Sequence, residues 1–375
     1  MLISTTITGG ARADVIGRSI AAVAPEVDLC LVIDTGTTDN AIEVARAAVP
    51  PEKFRLVSWP WQNDFAAARN FALDEAKRQL KAECGCCWCH DGEPSSCCGR
   101  HDDWILTADT DEWPRYPGAR AFLATVPAHV DCLLVRHASG TYRQTRAFRA
   151  TTKARWDYPV HECCSGYTSI DAPADWCFEC IPRPDEDKTA KYERYRDILL
   201  AEAAKRPTDP RVCYYLADTL SILGYKGSSI KWFSKCAQLP GWPQQAAWAC
   251  YRAAILLFEL GMPIDAINQC RFGIGKSPTD MPELHWLAGW IAYQTGDYAL
   301  AAAHARAALA LGPQPLRGGF SYPKAQSELP QDLLLWAECQ LAKAVPVEVS
   351  VASANSAPER HPDAGSLPDP NSPKP

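Results

Sequence analysis

The chain has 375 residues, 47% of them hydrophobic, 22% charged and 10% aromatic, a globular balance with apolar material for more than one core. Lys and Arg number 38 against 44 Asp and Glu, a formal charge of -6, which excludes a protein that grips nucleic acid or an anionic membrane through overall positive charge. No apolar run approaches the ~20 residues of a membrane-spanning helix, and the opening Met1-Leu2-Ile3-Ser4 lacks the basic start and cleavage site of an export signal, so a soluble, cytoplasmic protein is expected.

The first half alternates short β-type runs with helical stretches. Leu2 to Ile7 reads as a strand, Asp14 to Val23 as a helix and Leu29 to Ile33 as a second strand. A helix from Asn40 to Ala48 follows, with Ile42, Ala45 and Val49 on one face and Asp39 placed to cap it. Phe54 to Trp59, a long helix over Asp64 to Lys81, and the apolar run Trp104 to Ala108 continue the pattern. Such alternation predicts βαβ units and a mostly parallel sheet covered on both faces. Ligands on such sheets collect at the carboxyl ends of the strands, where two acidic clusters stand: Asp34 to Asp39, and Asp109-Thr110-Asp111-Glu112.

From about residue 188 the pattern is wholly helical and it repeats. Gly224, Gly261 and Gly296 end similar helices at spacings of 37 and 35 residues. Five residues after each stands a small side chain, Ser229, Ala266 or Ala301, and sixteen or seventeen after it a proline, Pro240, Pro278 or Pro313. This period, with its small packing residues and closing proline, resembles the tetratricopeptide repeat. The run from Gln331 to Ala344, with Leu334, Leu335 and Leu341, would serve as the terminal capping helix. The expected organisation is therefore an α/β domain over 1–187, helical repeats over 188–344 and a disordered, proline-rich tail over 345–375.

Four motifs bear on chemistry in the first domain: Leu31-Val32-Ile33-Asp34 with Thr35-Gly36-Thr37-Thr38-Asp39, Asn63-Asp64 through Arg69-Asn70, Asp103-Trp104 through Asp109-Thr110-Asp111-Glu112, and Val160-His161-Glu162. In order and spacing they resemble family-2 glycosyltransferases with the Rossmann-like A-type fold. The resemblance implies a nucleotide-diphosphate sugar donor and a Mn²⁺ or Mg²⁺ ion that stabilises the departing diphosphate. It implies that Asp34, Gly36 and Asp39 lie by the nucleoside, that Asp64 and Arg69 flank base and phosphates, that Asp109 faces ribose and metal, and that Asp111 ligates the metal. Glu162 would be the base that takes the acceptor proton, with His161 a metal ligand or phosphate contact, or the two roles exchanged. Glu112 is expected to cap the following loop, and Arg146 and Arg149 are further candidates for the diphosphate. The usual asparagine-glutamate pair after the first strand is replaced by Gly9-Gly10-Ala11-Arg12.

The chain holds 17 cysteines, expected as reduced thiols, and six of them crowd an insertion over 82–101. Cys84, Cys86, Cys87, Cys89, Cys97 and Cys98, with His90 and His101, exceed the four ligands of a structural zinc, without forming clean knuckle spacing. Two functions follow: a metal-dependent, inverting hexosyltransferase acting on an acceptor hydroxyl, with a peptide or protein acceptor presented by the repeats, or a non-catalytic tetratricopeptide scaffold carrying a degenerate transferase domain.

Overall fold

The computed structural model describes residues 1–84, 103–140, 142–182, 187–315 and 320–344. Five of the six clustered cysteines of the insertion, Cys86, Cys87, Cys89, Cys97 and Cys98, and the expected tail lie outside them. The chain divides into two compact units, Met1–Asp187 and Lys188–Pro375.

In the first unit the elements run β1 Leu2–Gly10, α1 Ile16–Val23, β2 Leu29–Thr37, α2 Ala41–Ala47, β3 Phe54–Ser58, α3 Phe65–Cys84 and β4 Trp104–Asp109. They continue through β5 Glu112–Arg115, α4 Ala119–Leu123, β6 Cys132–His137, β7 Arg143–Arg149, β8 Arg155–Asp157, β9 Cys163–Ser165, β10 Ser169–Asp171 and β11 Cys177–Cys180. The described strands form a nine-stranded sheet in the order β3-β2-β1-β4-β7-β6-β11-β5, with β10 beside β6, and a separate β8-β9 pair.

Strands β3, β2, β1 and β4 are parallel, as the alternating helices require. Most pairings of the sheet are parallel as expected, β10 and β11 also running parallel to β6, but antiparallel pairs interrupt the other half. Strand β7 runs antiparallel to both β4 and β6, and β11 antiparallel to β5, so the sheet is mixed. The short link from His137 to Arg143 leaves no room for the crossover that a parallel β6-β7 pair needs.

Alternation along the strands builds two cores. Leu2, Cys30, Val32, Trp104 and Leu106 face α1 and α2 with Ile16, Ile20, Ala41 and Ala45. Ile3, Leu31, Ile33, Ile105 and Phe148 face α3, which meets them with Ala66, Leu73, Ala76 and Leu80. The mixed sheet thus has helices on both faces, and the carboxyl ends of β1, β2 and β4 open on one edge.

The second unit holds α5 Lys188–Lys205, α6 Pro210–Ile222, α7 Lys226–Gln238, α8 Pro243–Glu259, α9 Pro263–Lys276, α10 Pro282–Gln294, α11 Tyr298–Leu311 and α12 Glu328–Ala344. The three marker glycines take φ of +83°, +75° and +82°, left-handed values that stop a helix without a Cβ penalty. Ser229, Ala266 and Ala301 are fully buried, and the Ser229 hydroxyl donates to the Ala217 carbonyl at 2.7 Å, fastening α7 to α6. Helices α6-α7, α8-α9 and α10-α11 pack as pairs, while α8 also packs on α6 and α10, and α10 on α12. The even-numbered helices therefore form one layer, and the helical half consists of tetratricopeptide-like repeats. Within α12, Leu333 is buried, while Leu335 of the expected capping run is 60% exposed.

Candidate functional site

Asp109 ends β4 on the face that α3 covers, and Arg69, one turn into α3, meets it. Arg69 Nη1 donates to Oδ1 at 2.7 Å and Nη2 to Oδ2 at 3.0 Å, while Nε donates to Glu162 Oε1 at 2.6 Å. One guanidinium thus joins two carboxylates brought from distant parts of the chain. Arg146 of β7 approaches Asp109 Oδ2 at 3.5 Å and pairs with Glu112 Oε1. Glu112 Oε2 accepts the Asp109 backbone N–H at 3.0 Å, closing the Asp109-Glu112 turn.

The charge states follow from this packing. Burial works against ionised Asp109, yet Arg69 and Arg146 outweigh it and hold its carboxyl well below the usual carboxylate range. Burial would also discharge Arg69, but Asp109 and Glu162 keep it charged. Glu112 is pushed up to about 7, chiefly by burial, with Arg146 opposing and Asp109 reinforcing the rise. From the sequence Glu112 is expected to cap the following loop and Arg146 to reach a diphosphate; their pairing with each other is not legible there, since nothing in their spacing shows that β7 crosses beside β4.

The loop carrying His161 and Glu162 is held over this edge. Phe65 N–H donates to the Pro159 carbonyl at 2.8 Å, and the Asn70 side chain bonds both the N–H and the carbonyl of Trp156 in β8. The non-glycine residues with left-handed φ in the described chain are Asn63 at +59°, Tyr158 at +73° and His161 at +53°. All three flank the start of α3 or this loop, a concentration of backbone strain typical of functional sites.

The other expected donor contacts engage the backbone. Asp34 Oδ1 accepts from Gly36 N, Thr37 N and Thr37 Oγ1 at 3.0, 2.8 and 2.8 Å, shaping the turn that ends β2. Burial raises the Asp34 pKa, but these bonds win and leave it lowered. Asp39 accepts from Ala13 N and Ala41 N, joining the β1-α1 loop to α2, and Asp64 Oδ1 accepts from Ala67 N inside the first turn of α3. Gly36 has φ of +121° with open space where a Cβ would stand, so glycine serves the backbone conformation there. Asp111 lies half-buried on the Asp109-Glu112 turn, where its carbonyl accepts from Ile181 N at 2.6 Å. Arg149 is corrected as a diphosphate candidate: it donates to the carbonyls of Val126, Pro127 and Val130 and lies 4.5 Å over the Trp104 ring, a buried strut.

Among the described residues no three His, Cys, Asp or Glu side chains converge so as to hold a metal ion. Both oxygens of Asp109 are taken by the guanidinium groups of Arg69 and Arg146, so as arranged Asp109 offers no open oxygen to a hard divalent cation. Cys84 ends α3, and the zinc expectation as a whole rests on positions outside the described residues. No described helix is long and apolar enough to cross a membrane.

No family model matches the chain. A TPR repeat-containing protein of Synechococcus elongatus is 25% identical over 306 residues, covering 75% of this chain and 67% of its own length. Three quarters of the chain is more than the helical segment 188–344 can supply, so this likeness takes in part of the sheet unit. Among solved structures, a thermophilic TPR protein of Thermus thermophilus is 23% identical over 41% of this chain and 82% of its own, with a TM-score of 0.29. PcrH of Pseudomonas aeruginosa is 18% identical over 35% and 91%, at 0.28, and MamA 16% over 44% and 98%, at 0.30.

Proposed function

We propose that the chain is a protein-binding scaffold whose tetratricopeptide-like helices recognise a peptide or protein partner, with the sheet unit as a non-catalytic body. The observation behind this reading is the continuous layer of α6, α8, α10 and α12, on which an extended chain meets similar positions at each successive repeat. Selection of a displayed peptide library on the intact protein tests it. Saturable peptide binding that weakens on substitution of residues in this layer is expected. Absence of peptide binding, together with manganese-dependent binding of UDP or GDP in calorimetry, would overturn it.

A second reading, transfer of a sugar from a nucleotide-diphosphate donor, draws on two features of the sheet edge. One is the Arg69-Asp109-Glu162 cluster beside strained backbone. The other is Thr8, which is 2% exposed with a hydroxyl that finds no hydrogen-bond partner and which pairs in register with Asp34. In this reading Asp34, Gly36, Asp39 and Asp64 lie around the donor and Glu162, released from Arg69, takes the acceptor proton. Because Arg69 and Arg146 occupy Asp109, no step is assigned to a metal at Asp109 and Asp111.

A further inference from the structure

The links within the helix pairs are three residues long, Leu223–Tyr225, Leu260–Met262 and Thr295–Asp297, whereas that between α11 and α12 spans Gly312–Ser327. Its described end runs across the N-terminal first turns of the even-numbered helices. Phe320, 8% exposed, packs edge-on against Tyr214 of α6 with ring centroids 5.0 Å apart, and against Trp242, just before α8, at 5.3 Å. Tyr322 lies 6.0 Å from Trp286 of α10, and Pro323–Gln326 forms a short 3-10 turn packed on α10 and α12. The segment thus touches α6, the residue before α8, α10 and α12 of the even-numbered layer.

Its polar contacts are specific. Glu283 of α10 is completely buried, and Oε1 accepts from Gln326 Nε2 at 2.6 Å and from Tyr322 N at 3.3 Å. Gln326 Oε1 in turn accepts from Gln314 N at 3.0 Å. A carboxylate buried this deeply needs donors, and here two arrive from the segment that precedes α12. Helix α8 is buried along its length from Gln245 to Leu257, including Gln245 and Arg252.

We propose that Phe320–Gln326 is a built-in occupant of the partner-binding face, and that the partner is a segment of the same chemistry and shape, an aromatic stretch closing in a 3-10 turn. Such a partner carries two aromatic residues separated by one position and, four residues after the second, a side chain with an N–H donor. The aromatics seat on Tyr214, Trp242 and Trp286, and the donor meets Glu283, which rejects an acidic residue there. Being tethered, the chain's own segment competes at a high effective concentration, so partner binding requires its displacement. This inference rests on the scaffold reading.

The test uses the full chain and a fluorescein-labelled peptide of residues 320–327. The unaltered protein is expected to bind it at least about tenfold more weakly than a Phe320→Ala/Tyr322→Ala variant, whose own segment has lost both aromatic contacts. Trp242→Ala in that background is expected to reverse the gain. Should the double variant lose its thermal transition, Gln326→Ala, which removes only the amide of this segment from Glu283, serves in its place with a smaller gain expected. Equal affinity for all variants, or no binding by any, overturns the inference. If peptides selected from the library bind the unaltered and double-variant chains equally, the scaffold reading stands and the built-in occupant falls. A dimer of the unaltered chain that the peptide dissolves would make a second copy the source of the segment, also overturning the intramolecular arrangement.

Discussion

Arg69 and Asp109 face each other as a two-pronged pair, 2.7 and 3.0 Å long, across forty residues of chain. The pair ties the first turn of α3 to the last residue of β4. It therefore fixes the geometry of the sheet edge on which every reading of that unit depends.

Removing either partner should be expensive, because the other, partly buried, keeps only its second partner, Glu162 for Arg69 or the longer contact with Arg146 for Asp109. Arg69→Ala or Asp109→Ala is expected to cost about 3 kcal/mol or more. The double replacement should cost less than the two singles added together, as contacting residues couple. Urea unfolding of the four proteins checks this, and strict additivity would show the two groups to be independent.

The helical half should be acid-sensitive for a specific reason. His285 Nδ1 of α10 and His304 Nδ1 of α11 stand 3.1 Å apart, and the His304 pKa is lowered to about 4 by burial, with His285 and Arg271 adding to the effect. Burial lowers His285 as well. A lowered folded-state pKa means that this contribution is complete above the unfolded value of about 6.5 and is lost as pH falls through the folded one. His304→Gln should therefore lose less stability than the unaltered chain between pH 7.5 and pH 4.5 in urea unfolding. Identical losses would remove the imidazole pair as the cause.

Two glycines of α9 should respond with opposite sign. A Cβ on Gly273 would stand 2.7 Å from Cys250 Cβ and 2.8 Å from Leu284 Cδ1, whereas one on Gly275 meets nothing within 4 Å. Gly273→Ala is expected to destabilise by roughly 1–3 kcal/mol through overpacking. Gly275→Ala should raise stability by up to about 1 kcal/mol through helix propensity. Thermal melts of the two variants separate these effects.

The parts of the fold visible in the sequence were those written in a period. Apolar runs alternating with helical stretches locate β1 to β4, and the glycine, small-residue and proline spacings locate the repeats. A strand end also points to Asp109, and the family resemblance to Arg69 and Glu162, which the structure brings together. What escaped depended on tertiary placement. Arg146 and Glu112 join the cluster only because β7 pairs with β4, a consequence of antiparallel connections that periodicity does not encode. Asp39 reads equally well as a ligand contact or a cap and Asp64 as a ligand contact, and both engage backbone N–H groups. Phe320 to Gln326 carries no repeat and no alternation, so its place against α6, α10 and α12 had no signature to read.

The left-handed glycines at 224, 261 and 296 have a consequence for how this half of the chain can vary. Each helix there stops because its backbone reverses at a fixed point, independently of what the outward side chains are. Residues facing a partner can therefore be exchanged without moving the helix ends or the stacking of one pair on the next. Frame and surface are in this sense written in separate alphabets, and retargeting the repeats to a new ligand calls for changes in only one of them.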